Sequence, residues 1–177
     1  MNGFDIRQER AGDEPAITAI HAAAFRRPDQ PDVEPPEAQL VTDLRAGDAW
    51  IPELSIVAVD GDTIVGHVVC TRATIARSIP VLGLGPIGVV PARQGHGIGI
   101  ALVRAALATA DARGERLVAL LGSPAYYSRF GFGPASAHGI EPPREWYGED
   151  FQVFPLTAAT GTERGKFAYA KPFDQVP

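Results

Sequence analysis

The chain of 177 residues has a formal net charge of −5 and a pI near 5.3, and no Lys or Arg run exceeds two residues, which argues against a nucleic-acid partner. It is 45% hydrophobic and 21% charged, with Gly 19 and Pro 16, so disordered and collagen-like chains are excluded and one domain over residues 1–177 is expected. Its single cysteine, Cys70, cannot form an internal disulfide, and no Cys/His cluster has metal-ligand spacing. A reducing cytoplasm fits this composition. The charged first ten residues do not read as a secretory leader, and no apolar run is long enough to span a membrane.

Residues Phe4 to Gln8 read as a short strand. Asp13 to Phe25 reads as a helix, with Asp13 as its cap, Pro15 in the first turn, and Ile17, Ile20 and Ala24 at helical spacing. Four prolines between residues 27 and 36 make a loop, and Glu37 to Arg45 forms a second short helix closed by Gly47. Leu54 to Val59 and Thr63 to Thr74 are β-branched runs around the turn Asp60-Gly61-Asp62, which predicts an antiparallel hairpin. The apolar run Val81 to Val90 stops at Pro91. Arg93 to Gly99 then leads into a helix over Ile100 to Arg113, and Leu117 to Leu121 is the next strand. This strand-loop-helix-strand order makes a βαβ unit with two parallel strands. Phe151 to Leu156 and Lys166 to Ala170 are expected to pair as a final hairpin around Thr160-Gly161-Thr162.

Three glycines alternate in Gly95-His96-Gly97-Ile98-Gly99 at the mouth of a helix, where free N–H groups and the helix dipole suit an anion. Glycines also permit a tight strand-to-helix turn, and the loop alone does not separate the two uses. A dinucleotide fold wants G-x-G-x-x-G and an acid ending the next strand, whereas here Leu121-Gly122-Ser123 follows. A nucleotide P-loop wants G-K-[ST], but Gly165-Lys166 precedes Phe167.

The segment Leu82 to Gly99 resembles the acetyl-CoA-binding segment of the GCN5-related N-acetyltransferase (GNAT) superfamily, whose core is [QR]-x-x-G-x-[GA] after a strand; Gln94, Gly97 and Gly99 match. Pro124 to Phe132 resembles the family's Y-x-x-x-G-F, matched by Tyr127, Gly131 and Phe132. The two motifs together are more specific than either alone. The resemblance implies a mixed α/β fold with a central, mostly antiparallel sheet, two splayed parallel strands and flanking helices. It implies acetyl-CoA as co-substrate and no metal. The pyrophosphate would rest on Gln94, Gly95, His96, Gly97, Ile98 and Gly99, a backbone N–H of Ile87, Gly88 or Val89 would polarise the thioester carbonyl, and Ser123 would complete the cofactor contacts.

In the same family a tyrosine protonates the departing thiolate, and Tyr127 occupies its position, while Tyr126 is assigned to packing. The base has no fixed place in the family. His67, Glu37 and Glu34 are candidates, whereas His21, among alanines on a helix, receives no role and Cys70 reads as a buried filler. The resemblance implies a small-molecule or peptide amine as acceptor, and family members often pair as dimers. The loops Pro28 to Glu37 and Glu141 to Asp150 carry −4 and −3, which suggests an acidic groove for a cationic amine, with Trp146 and Tyr147 as an aromatic wall. A non-catalytic acyl-CoA-binding module and an O-acetyltransferase are the alternative readings.

Overall fold

In the computed structural model, which describes residues 3–177, a nine-stranded mixed sheet carries helices on both faces. Strand β1 (Asp5–Gln8) is followed by α1 (Glu14–Ala24) and α2 (Pro36–Arg45), then by β2 (Ser55–Asp60), β3 (Thr63–Ile75) and β4 (Ile79–Val89). Helix α3 (Ile98–Ala112) crosses to β5 (Leu117–Leu121), and the remainder holds α4 (Pro124–Tyr127), β6 (Gly133–Pro134), β7 (Ile140–Glu141), β8 (Phe151–Pro155) and β9 (Gly165–Ala168). The strand order is β1-β2-β3-β4-β5-β8-β6, with β9 joined to β3 and β7. Strands β1 to β4 form an antiparallel meander, and β4 and β5 are parallel.

The helix ends differ in detail from the sequence expectation. Asp13 has helical φ/ψ and no capping bond; its carboxylate instead accepts from Arg7 Nη1 at 2.7 Å and from the Arg10 N–H at 2.8 Å. Helix α2 opens directly on Pro36, whose missing N–H costs nothing in a first turn, and it is capped at Ala46, before Gly47.

The tail also departs from expectation. β8 and β9 do not pair with each other: β8 lies antiparallel beside β5 (Ala119 opposite Val153), and β9 pairs with the end of β3 (Ile75 opposite Phe167). Each strand is captured by a distant strand whose edge needs a partner, which outweighs the local Thr-Gly-Thr turn.

Helix α3 lays Leu102, Val103, Ala106, Leu107 and Ala110 on one face of the sheet, against Ile56, Val68, Leu82, Leu84, Val118 and Leu120. On the opposite face α1 and α2 bury Ile17 and Val41 against Val57 of β2. Burying one such side chain is worth about 1.5–3 kcal/mol, so these stripes fix which way each helix faces and hold β4 rigidly between its neighbours.

Candidate active site

The two parallel strands separate almost as soon as they meet. Only Leu82 opposite Val118 and Gly83 opposite Ala119 are in register, and beyond them β4 continues to Val89 while β5 ends at Leu121. The Val90 N–H bonds to Val65 O at 2.9 Å and His67 lies opposite Gly88, so antiparallel alternation puts the Gly88 N–H into the β3 ladder. The same alternation turns the N–H groups of Ile87 and Val89 away from β3, into the gap. The Val89 carbonyl on that side accepts from Gln94 Nε2 at 3.1 Å, which ties the strand end to the glycine loop.

At one end of the gap a cavity of about 350 Å³ is lined by Val89, Gln94, Gly95, Gly97, Ile98, Gly99, Arg93, Tyr126 and Arg129. Gly97 caps α3 with φ 82°, a left-handed conformation that a β-carbon would strain, and Ile98 begins the helix, so its first N–H groups open into this cavity. His96 is exposed, and its Nδ1 lies 2.9 Å from Gln94 O. Ser123 starts α4 with its carbonyl, which accepts the Tyr127 N–H at 3.0 Å. Gly88, His96 and Ser123 line neither this cavity nor the next.

Sequence reasoning missed two residues here. Tyr126 points its hydroxyl at Gly99, where a β-carbon would lie 3.1 Å from it, and the Arg129 guanidinium lies 4.4 Å from its ring centroid. A lone arginine two residues after a Tyr-Tyr pair was the available signal for a cation beside the loop.

On the side covered by α1 and α2 lies a larger cavity of about 890 Å³. Its walls are mainly apolar and aromatic, with Phe25, Leu40, Tyr147, Phe167, Tyr169 and Phe173 around Leu84 to Ile87 of β4. Tyr127 lines it at the β5 side, wedged over Gly122 so tightly that a β-carbon there would sit 2.4 Å from its ring. Burial pushes the Tyr127 phenol up to about 12, so it keeps its proton at neutral pH. Tyr169 stacks on Phe173 with centroids 4.5 Å apart, and burial raises its phenol as well.

The charge on this cavity is not the acidic one expected. Of the eight loop carboxylates only Glu37 lines it, joined by Asp174, while Arg77, Arg144 and Lys166 supply the positive charge. Glu141, Glu145 and Glu149 are exposed, and Ser136 donates to Glu149 at 3.1 Å. Tyr147 does form a wall, but Trp146 is 68% exposed.

His67 and His21 are both fully buried and bonded to each other, Nε2 of His21 to Nδ1 of His67 at 2.8 Å. His67 is therefore a satisfied interior residue and does not face the cavity. Burial lowers both imidazoles, His21 to about 4 and His67 well below its ordinary value, so both rings are neutral at pH 7. Cys70 is buried and its thiol is pushed up to about 12 by burial, as suits a filler. Among the described residues no group of three or more His, Cys, Asp or Glu side chains is placed to hold a metal ion, and no helix is long and apolar enough to cross a membrane.

Splayed parallel strands, a glycine loop at a helix start and a tyrosine across the gap define an acyltransferase architecture. Residues 5–135 match the model of the acetyltransferase (GNAT) domain, and the chain belongs to that family of acyltransferases. It is 34% identical over 155 residues to the uncharacterized N-acetyltransferase YhbS of Escherichia coli K12, covering 85% of this chain and 86% of that protein. It is 36% identical over 103 residues to YjhQ of the same organism, also an uncharacterized N-acetyltransferase, but that alignment spans only 57% of YjhQ. Among solved structures, YhbS in complex with CoA superposes with a TM-score of 0.87 at 28% identity, covering 98% of this chain and 93% of that one. A GNAT family acetyltransferase from Brucella melitensis in complex with acetyl-CoA gives 0.77 at 32% identity, covering 98% and 100%.

Proposed function

We propose that this protein is an acetyl-CoA-dependent N-acetyltransferase of the cytoplasm, built as one domain, that transfers acetyl to a small-molecule or peptide amine by direct attack in a ternary complex. The observation that carries this reading is the gap beyond Gly83 and Ala119, which leaves the Ile87 and Val89 N–H groups unclaimed by β5, with Val89 lining the loop cavity and Ile87 the aromatic one. A pantetheine arm would enter this gap as a substitute strand, with its diphosphate on the first N–H groups of α3 and beside Arg129. The CoA and acetyl-CoA held by the two structural relatives support that assignment.

In the reaction an Ile87 or Val89 N–H polarises the thioester carbonyl, worth about 2.7–4 kcal/mol in comparable sites. The amine arrives from the aromatic cavity and attacks the carbonyl carbon as free base. The C–S bond then breaks, and Tyr127 gives its proton to the thiolate. A phenol held neutral by burial is suited to that donation.

Thiol release from acetyl-CoA, followed over a panel of amines, tests the proposal directly. At about one hundred times its Kd, acetyl-CoA should also stabilise the fold by roughly 2.7 kcal/mol. Absence of a thermal shift at millimolar acetyl-CoA would end the cofactor assignment, and thiol release that no amine stimulates would end the transferase one.

A further inference from the structure

The reaction above leaves one proton without an owner: the one the acceptor nitrogen sheds as its bond to carbon forms. Five side chains on the face covered by α1 and α2 form a single polar line. His21 Nε2 meets His67 Nδ1 at 2.8 Å, His67 Nε2 meets Ser55 Oγ at 2.8 Å, Ser55 Oγ donates to Glu9 Oε2, and Arg45 Nε donates to Glu9 Oε1 at 3.0 Å. His21, His67 and Ser55 are fully buried. No packing need accounts for so many polar groups in one layer, since apolar residues of the same volume would serve better there.

The bonds fix the direction of every proton. Glu9, paired with Arg45, accepts, so Ser55 spends its hydroxyl hydrogen on it and must itself accept from His67 Nε2–H. His67 Nδ1 is then bare and accepts from His21 Nε2–H. The chain therefore ends in a lone pair on His21 Nδ1, which is buried without a hydrogen-bond partner. That nitrogen rests against Gly88, where a β-carbon would lie 2.9 Å from it, and its ring stacks on Phe25 at 6.0 Å. Phe25 and Ile87, the residue before Gly88, both line the aromatic cavity.

We propose that His21, His67, Ser55 and Glu9 are a proton relay that removes the acceptor nitrogen's proton during acetyl transfer, by way of a water beside Phe25. The amine lone pair forms the C–N bond, and the nitrogen becomes acidic. Its proton passes to His21 Nδ1 as His21 Nε2–H moves to His67 Nδ1, His67 Nε2–H to Ser55 Oγ, and the Ser55 proton to Glu9. The protonated Glu9, at the outer end of the line, holds the proton until the reverse shifts carry it back through His21 Nδ1 and the water to the Tyr127 phenolate, which restores each tautomer and the phenol. This inference rests on the acetyltransferase reading and adds the path of the base.

The test interrupts the line away from the cavity. Ser55→Ala should lower kcat about tenfold or more with any amine that the wild-type protein accepts, leave KM for acetyl-CoA unchanged, and lose its deficit as rising pH lets hydroxide take the proton of the adduct. Ser55→Thr, which keeps a hydroxyl, should recover most of the rate, and Glu9→Gln, which removes the sink, should resemble Ser55→Ala. The charged groups facing the line, Glu9 and Arg45, remain in the serine variants, so the pH profile reports the relay. Imidazole 15N shifts in the unliganded wild-type protein should give both rings as Nε2–H tautomers at pH 7. Equal kcat in folded Ser55→Ala, a deficit that is the same at every pH, or a protonated His21 Nδ1 would each overturn the relay while leaving acetyl transfer by the wild-type protein intact. If the alanine variant does not fold, the tautomers and Glu9→Gln decide.

Discussion

The two cavities beside the β4–β5 gap are built in opposite ways. The loop cavity comes mainly from one run, Val89 to Ile100, and presents backbone N–H groups freed by glycine. The aromatic cavity draws on the end of α1, on α2, on the β3–β4 turn, on residues 143–147, on β9 and on the C-terminal segment, and presents side chains. A site made of backbone needs spacing and conformation but few identities, so it leaves a contiguous motif; a site made of side chains from many scattered segments leaves none. In the proposed reaction the first holds the part of the donor that never changes, and the second meets the variable acceptor.

Breaking the backbone site should have the largest effect. Nothing lies within 4 Å of a β-carbon placed on Gly97, so Gly97→Asp meets no clash, but it forces a residue with a β-carbon to φ 82° and sets a carboxylate at the proposed diphosphate position. Acetyl-CoA affinity, measured by calorimetry, should fall by about 10² to 10³, and unchanged affinity would reduce the loop to a turn.

Acid should act on the other side, through the buried imidazoles under α1. Unfolded histidine binds a proton near 6.5, whereas folded His21 does so only near 4, so below 6.5 the unfolded state takes up protons that the folded state refuses. Stability present at neutral pH is therefore lost as pH falls from about 6.5 toward 4, by on the order of 3 kcal/mol for His21 alone. Urea midpoints across that range should decline accordingly, and a flat curve would mean that the imidazoles are charged or exposed in the native state.

The tyrosines sharpen the comparison at the boundary between the cavities. Tyr127→Phe should lower kcat about 10²-fold with little change in acetyl-CoA affinity, because the lost interaction belongs to the transition state. Gly122→Ala drives a β-carbon into the Tyr127 ring and should cost about tenfold in kcat through misplacement alone. Tyr126→Phe should instead weaken cofactor binding, since its hydroxyl lies at Gly99, and an effect confined to kcat would swap the two roles.

What the sequence made legible follows the same division. The β2–β3 hairpin, the βαβ unit and the glycine loop at the start of α3 were readable because each rests on local patterning or one short motif. Unreadable were the separate destinations of β8 and β9, which depend on strand edges far away in the chain, and the pairing of His21 with His67 across 46 residues. A partial signal existed for His21: it stands four residues after Ile17 and three before Ala24, on the buried stripe of α1, where a polar residue must find a partner. Periodicity gives the need for a partner and is silent on its identity.

The smallest effect is expected where charge composition alone pointed to the acceptor. An excess of negative charge in two loops implies a steering field only if those carboxylates share a concave surface with the reacting amine. Glu141, Glu145 and Glu149 are exposed and outside the aromatic cavity, whose own lining balances Glu37 and Asp174 against Arg77, Arg144 and Lys166. At physiological ionic strength a solvated charge is screened within about 8 Å, so the loop carboxylates should not concentrate a cation at the thioester. Simultaneous reversal of Glu141, Glu145 and Glu149 to lysine should change kcat/KM for a cationic amine by no more than about twofold, and raising the salt should change it as little. Glu37→Gln, made in the cavity itself, should change it by more. A steep salt dependence abolished by the triple reversal would return the acidic loops to the acceptor site, and would mean that they fold over the cavity when the donor is bound.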